Sequence, residues 1–106
     1  MTAKEFILNM PNKINPEAME GKGDTVFHFK VSGDGGGEFT AKAENGEFSV
    51  VEGLEGEAKC VITTSDKILS EILEKKRNPQ MAVFTGKLKI SNLGEMMKYA
   101  KPLGLM

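Results

Sequence analysis

At 106 residues, with 40% hydrophobic side chains and a formal net charge of −1, the chain has room for one domain, residues 1–106. A core of this size withdraws roughly two-thirds of the unfolded surface from water. No apolar run approaches the ~18 residues of a membrane span, no signal peptide opens the chain, and one cysteine excludes an intrachain disulfide, so a soluble, cytoplasmic protein is predicted.

Charge is unevenly spread. Residues 1–58 hold five lysines and eleven acids, a balance of −6, whereas residues 59–106 hold nine cations and four acids, a balance of +5. Such asymmetry fits either a polarised surface or two separately solvated halves.

Thr2-Ala3-Lys4-Glu5 has the spacing of a capping box, and Phe6, Ile7 and Met10 follow on one helical face, so a helix is predicted that Pro11 stops. Asn15-Pro16 predicts a second short helix, ended by Gly21 and Gly23. From Thr25 to Ser32 the period is two: Phe27, Phe29 and Val31 on one face, and Val26, His28, Lys30 and Ser32 on an exposed one. The glycine-rich stretch Gly33–Gly37 turns the chain, and Phe39, Ala41 and Ala43 alternate with polar residues. Asn45-Gly46 is the dipeptide of a tight hairpin, beyond which Phe48 and Val50 continue the apolar face.

After a loop from Gly53 to Gly56, Cys60 and Ile62 alternate with Val61 and Thr63 in a fourth strand. Ser65 or Thr64 caps a helix that turns Ile68, Leu69, Ile72 and Leu73 inward and closes on Lys75, Lys76 and Arg77, where the helix dipole favours cations. Asn78 caps and Pro79 opens a short helix that Gly86 ends, and Lys87-Leu88-Lys89-Ile90 alternates as a fifth strand. Asn92 and Glu95 match a second capping box, and Leu93, Met96, Met97 and Ala100 form a stripe at i, i+3, i+4 and i+7. Hairpin-linked strands with one polar face need cover on one side only. The predicted fold is therefore α+β: a five-stranded, mostly antiparallel sheet with helices packed on one face.

Residues able to carry chemistry are few. A dinucleotide fingerprint would need glycine at position 38, where Glu38 stands, and a strand rather than a helix follows. Gly86-Lys87 lacks the Ser or Thr of a phosphate loop, because Leu88 comes next. One histidine and one cysteine cannot assemble a zinc site of the usual ligand count. Periodicity puts His28 and Cys60 on opposite faces, so Cys60 reads as a small buried hydrophobe. No paired carboxylates suggest acid–base catalysis. No catalytic residue, metal, cofactor or nucleic-acid partner is predicted.

Asn78-Pro79-Gln80, then Phe84-Thr85-Gly86-Lys87-Leu88-Lys89-Ile90, then a glycine-containing helix start with paired apolar residues resembles the sterol-carrier-protein family of lipid-transfer domains. Asn15-Pro16-Glu17-Ala18, the Val26–Gly33 stretch with its glycine run, and Val61–Asp66 resemble that family's early helix, first hairpin and strand-to-helix joint. Ser91-Asn92 stands where the family usually has a further Gly or Asp, and Leu103-Gly104-Leu105-Met106 is not the peroxisomal address some members carry. The resemblance implies an apolar ligand tunnel between sheet and helices. It also implies non-enzymatic binding and transfer of a fatty acid, acyl-CoA, phospholipid or sterol-like lipid. By composition alone the soft apolar residues of the last third read as core; the resemblance implies that Ile72, Met81, Phe84, Leu93, Met96, Met97, Ala100 and Leu103 line the ligand site. Lys75, Lys76, Arg77, Lys87, Lys89, Lys98 and Lys101 would then form a basic rim for transient contact with an anionic membrane or for an anionic head group. The expected state is a monomer or weak dimer, and the alternative function is an assembly module of a larger lipid-metabolising system.

Overall fold

The period-two segments form one sheet. β1 (Thr25–Ser32), β2 (Gly37–Glu44) and β3 (Glu47–Glu52) make an antiparallel meander. β4 (Cys60–Ser65) lies on the other side of β1 and parallel to it, and the two-residue β5 (Lys89–Ile90) closes that edge. In this computed structural model, which describes residues 2–13 and 23–99, the strand order is β3-β2-β1-β4-β5 and three of the four pairings are antiparallel. Four helices accompany the sheet among the described residues: α1 (Ala3–Lys13), α2 (Asp66–Leu73), α3 (Pro79–Phe84) and α4 (Leu93–Tyr99). The predicted helix at Asn15-Pro16 lies outside the described residues.

Register explains the core. Phe29 stands opposite Phe39 on one side and Ile62 on the other, and Phe27 opposite Ala41 and Cys60. Because side chains opposite each other in a ladder share a face, these six point together, and all are buried. α1 covers this inner face with Ala3, Phe6, Ile7 and Met10. Its capping box closes reciprocally: the Glu5 N–H donates to Thr2 Oγ1 and the Thr2 N–H to Glu5 Oε1, each at 3.1 Å. The helix does not stop at Pro11 but runs two residues past it. A proline φ is compatible with a helix, and here the missing N–H affects only the final turn.

Two further expectations are corrected. His28 is buried, not exposed: the β3–β4 connection crosses the outer face, where Thr40 Oγ1 donates to the Gly53 carbonyl at 2.7 Å and accepts from the Glu55 N–H at 2.9 Å. The Glu55 carbonyl lies 2.9 Å from His28 Nε2. Lys75, Lys76 and Arg77 do not close α2, which is capped at Glu74, after which Lys75 takes the left-handed φ of 63°.

The glycine run is a hairpin turn with a second task. Gly33 has a φ of 100°, and a Cβ there would stand 2.3 Å from Asp66 Oδ1. Asp66, in the first turn of α2, accepts the Gly35 N–H at 2.8 Å, so the turn is fastened to the start of that helix.

Cys60 is fully buried on the inner face, with Sγ 3.5 Å from the Asn92 carbonyl, and loss of solvation pushes its thiol above the ordinary value. The thiolate is the reactive form. The native protein is therefore expected to react with a thiol reagent only at the rate at which it opens, with rapid labelling appearing in denaturant. Fast labelling of the native protein would contradict an inert thiol.

Candidate functional site

Two short helices and a doubled-back chain frame the site. Asn78 caps α3, its Oδ1 accepting the Gln80 N–H at 2.8 Å and the Met81 N–H at 3.3 Å, while Pro79 supplies a preset φ in the first turn. The Ala82 carbonyl accepts the N–H groups of both Lys87 (2.9 Å) and Leu88 (3.0 Å), which folds the chain back and buries Leu88. The Thr64 hydroxyl donates to the Lys87 carbonyl at 3.0 Å, and Ile90 pairs with Ile62, so this segment is held to β4.

α4 is held at its other end, to β1. The Asn92 side chain accepts the Glu95 N–H at 3.1 Å, but the Glu95 carboxylate does not complete the capping box. It is buried and accepts a short bond from the Thr25 hydroxyl, with Lys98 Nζ at 3.5 Å. Tyr99 is 0% exposed; its hydroxyl donates to the Gly23 carbonyl at 3.1 Å, and its ring meets Phe27 edge-on, centroids 5.4 Å apart.

Between these fastenings lies a cavity of about 370 Å³, within the roughly 300–1,000 Å³ typical of small-molecule sites. Phe29 and Ile62 come from the sheet, Leu69 and Ile72 from α2, and Leu88 and Ile90 from the doubled-back segment. Pro79 and Val83 line it from α3, and Leu93, Met96 and Met97 from α4. Its polar lining residues are Asn78 and Gln80, both exposed, as are Leu93 and Met97, so the cavity reaches the surface between α3 and α4. No titratable side chain lines it. Such a cavity can hold an apolar molecule by excluding water; it offers no acid, base or nucleophile. Among the described residues no cluster of three or more His, Cys, Asp or Glu is placed for a metal ion, and no helix is long and apolar enough to cross a membrane.

Of the residues proposed from the sequence, Ile72, Leu93, Met96 and Met97 come together on this cavity. Met81 and Phe84 do not line it: α3 turns Pro79, Ala82 and Val83 inward, which leaves Met81 58% and Phe84 89% exposed. Ala100 and Leu103 lie outside the described residues. Sequence reasoning missed Val83, although the i, i+4 spacing from Pro79 marks it, and it assigned Phe29, Ile62 and Leu69 to the core alone. Of the expected rim, Lys76 pairs with Glu74 (3.1 Å), Arg77 with Glu71 (2.9 Å) and Lys98 with Glu95. Lys75, Lys87 and Lys89 are exposed and have no ion-pair partner among the described residues; Lys101 lies outside them.

The SCP-2 sterol transfer family matches residues 4–104. Sterol carrier protein 2 of Gallus gallus is 46% identical over 77 residues, which are 69% of this chain and 14% of that protein. Among solved structures, the sterol carrier protein domain 2 of Helicoverpa armigera superposes with a TM-score of 0.67 at 25% identity, covering 94% of this chain and 81% of that one. A sec-alkylsulfatase from Pseudomonas sp. superposes with a TM-score of 0.76 at 18% identity, over all of this chain and 16% of the sulfatase, and shares the fold. The chain thus spans a small fraction of the length of the curated relatives it matches.

The bond from Thr25, and then Lys98, hold the Glu95 carboxyl below the ordinary value of 4.5 against its burial. A lowered folded-state pKa means stability that is present above about pH 4.5 and is lost as pH falls through the folded value. Glu95→Gln, which can still accept from Thr25, is expected to cost on the order of 1 kcal/mol at pH 7 and to flatten the acid limb of a urea-denaturation series. An acid limb as steep as wild type would show that this carboxylate does not anchor α4.

Proposed function

Because this chain belongs to the SCP-2 sterol transfer family, we propose that it is a non-enzymatic carrier of one lipid-class ligand, a fatty acid, acyl-CoA, phospholipid or sterol-like molecule, held in the cavity between α2, α3, α4 and the sheet. The observation that carries this reading is the cavity itself: about 370 Å³, apolar at every lining position except Asn78 and Gln80. An acyl chain entering it sheds the hydration of each methylene, roughly 0.8 kcal/mol apiece. A bilayer offers a similar gain, so a carrier needs only a comparable apolar slot and no reactive group.

Ile72, Val83, Met96 and Met97 are the ligand contacts proposed first, and residues 1–106 are read as one lipid-binding domain. The cations Lys75, Lys87 and Lys89 fit an anionic head group or attraction to an anionic membrane. The alternative, an assembly module of a larger system, draws support from the sulfatase, which carries this fold as 16% of its length, but leaves the cavity without a role. Native mass spectrometry of the purified protein separates the two: co-purifying lipid with no partner chain supports the carrier, and a partner chain with no lipid opposes it. Equal affinity for a fatty acid and its CoA ester would remove the head-group role of the cations.

Met97→Lys should lower affinity for a fluorescent fatty acid about tenfold. Met97 is half exposed at the mouth, so a lysine there can carry its ammonium toward water, which limits the loss. The variant should fold, with stability within ~1 kcal/mol of wild type, whereas Phe29→Lys, with an unpaired charge buried on the inner face of the sheet, should not. Unchanged binding by folded Met97→Lys would remove α4 from the ligand wall.

A further inference from the structure

The sheet ends on one side at β3, and the hydrogen-bond phase of the β2–β3 ladder shows which backbone groups that edge presents. The Gly53 N–H donates to the Glu38 carbonyl at 2.8 Å. Val51 with Thr40, Ser49 with Lys42 and Glu47 with Glu44 are then the pairs that exchange backbone bonds, as the two-residue Asn45-Gly46 turn also requires. The N–H and C=O groups of Phe48, Val50 and Glu52 therefore point away from β2, and among the described residues no strand pairs with them. An edge of this kind is a template for a further strand.

The two faces of the edge differ. Phe48 and Val50 stand opposite Ala43 and Ala41, so they continue the inner apolar face, and both are half-buried. Glu47, Ser49 and Val51 lie on the outer face and are exposed. The charge here is largely of one sign: residues 37–57 carry six carboxylates and one cation, Lys42, which is half-buried opposite Ser49. Glu52 is ion-paired, with Lys4 at 3.4 Å. Glu38, Glu44 and Glu47 are exposed and have no ion-pair partner among the described residues. A strand entering here meets apolar side chains on one face and carboxylates on the other. Strand side chains alternate between faces, so the edge suits a segment in which apolar residues alternate with lysine or arginine. Their aliphatic stems can also cover Val51, 40% exposed. A second copy fits worse, because a two-fold contact sets the same acidic hairpin against itself.

We propose that the β3 edge docks an extended basic segment of a partner protein, which adds antiparallel to the sheet as a sixth strand. Its backbone bonds Phe48, Val50 and Glu52, its apolar side chains extend the row of Phe48 and Val50, and its cations meet Glu47, with Glu44 and Glu38 one strand further in. No residue of β3 lines the apolar cavity, so this site stands beside the lipid-carrier function and does not depend on it. Main-chain bonds supply the affinity and charge selects the partner. The charge selection weakens as the screening length falls from about 8 Å at physiological salt to about 3 Å in molar salt.

The probe is a blocked peptide of alternating lysine and valine, titrated into the full chain and followed by amide NMR. At low salt the Phe48, Val50 and Glu52 amides are expected to shift and to exchange with solvent more slowly. A glutamate–valine peptide should bind about tenfold more weakly, and Glu47→Lys should narrow that preference. Val50→Pro removes the central edge N–H but none of the bonds to β2. It should bind the lysine peptide about tenfold more weakly and keep its affinity for a fluorescent fatty acid within about twofold of wild type. The unaltered protein gives the same test from the other side. A lysine peptide N-methylated at its valines keeps its charge but loses the donors that face β3, and it too should bind about tenfold more weakly. Unmoved Phe48, Val50 and Glu52 amides, or equal binding of the N-methylated peptide, overturns the site. Equal binding of the lysine and glutamate peptides overturns the basic partner. Sedimentation of Val50→Pro as a smaller species than wild type likewise overturns the proposal and assigns the edge to a second copy. Peptide and fatty-acid binding are separate readouts, so an empty cavity would sink the carrier reading and leave the edge result standing.

Discussion

Tyr99 and Glu95 fasten α4 to the start of β1, and the cavity depends on that attachment. The tyrosine is anchored by its hydroxyl on the Gly23 carbonyl and by its ring on Phe27. One turn back, Glu95 holds the Thr25 hydroxyl. Tyr99 and Glu95 lie on one side of the helix, and Met96, Met97 and Leu93 are left to face α2 and α3 across a gap. α3, six residues long and tied to β4 through the segment that follows it, is too short to fill that gap. Close packing is the ordinary state of a protein interior; here it is met over α1 and β1–β3 and relaxed between α2, α3 and α4.

The two faces of the sheet are treated differently. The inner face carries Phe27, Phe29, Phe39 and Ile62 under the helices. The outer face has no helix among the described residues, and its central His28 and Thr40 are covered by the β3–β4 connection, whose backbone groups satisfy the threonine hydroxyl on both its donor and acceptor sides. A polar residue can be buried at this modest cost only because its hydrogen bonds are returned by neighbouring backbone. The parallel pairing of β1 with β4 is what requires this crossing, since β3 and β4 lie on opposite sides of β1.

Much of the architecture was legible in local pattern. Alternation and the Asn45-Gly46 turn, with φ of 53° and 82°, are properties of neighbouring residues, so β1 to β4 and the hairpins could be read directly. The caps at Thr2, Ser65, Asn78 and Asn92 were legible for the same reason, because a cap is a bond between residues two or three apart. Local pattern failed where a distant element intervened. His28 alternates as a solvent-facing residue should, and no local signal announces the loop that covers it. Glu95 has the spacing of a capping box, yet its carboxylate goes to Thr25, seventy positions away in sequence.

The site divides along the same line. The sequence by itself determined that α4 has one soft apolar stripe, and Leu93, Met96 and Met97 do line the cavity, because helical period fixes which residues share a face. It could not determine which face of α3 turns inward, since Met81 and Phe84 are bulkier than Ala82 and Val83 and hydrophobicity alone favours the bulky pair. Tertiary structure decided that. The chain reversal that brings Lys87 and Leu88 onto the Ala82 carbonyl sets the rotation of the helix, leaving Val83 in the cavity and Phe84 in water. Phe29, Ile62 and Leu69 likewise became cavity lining as well as core only because α3 and α4 are held apart, a distance set by bonds to β1 and β4 that no short stretch of sequence contains.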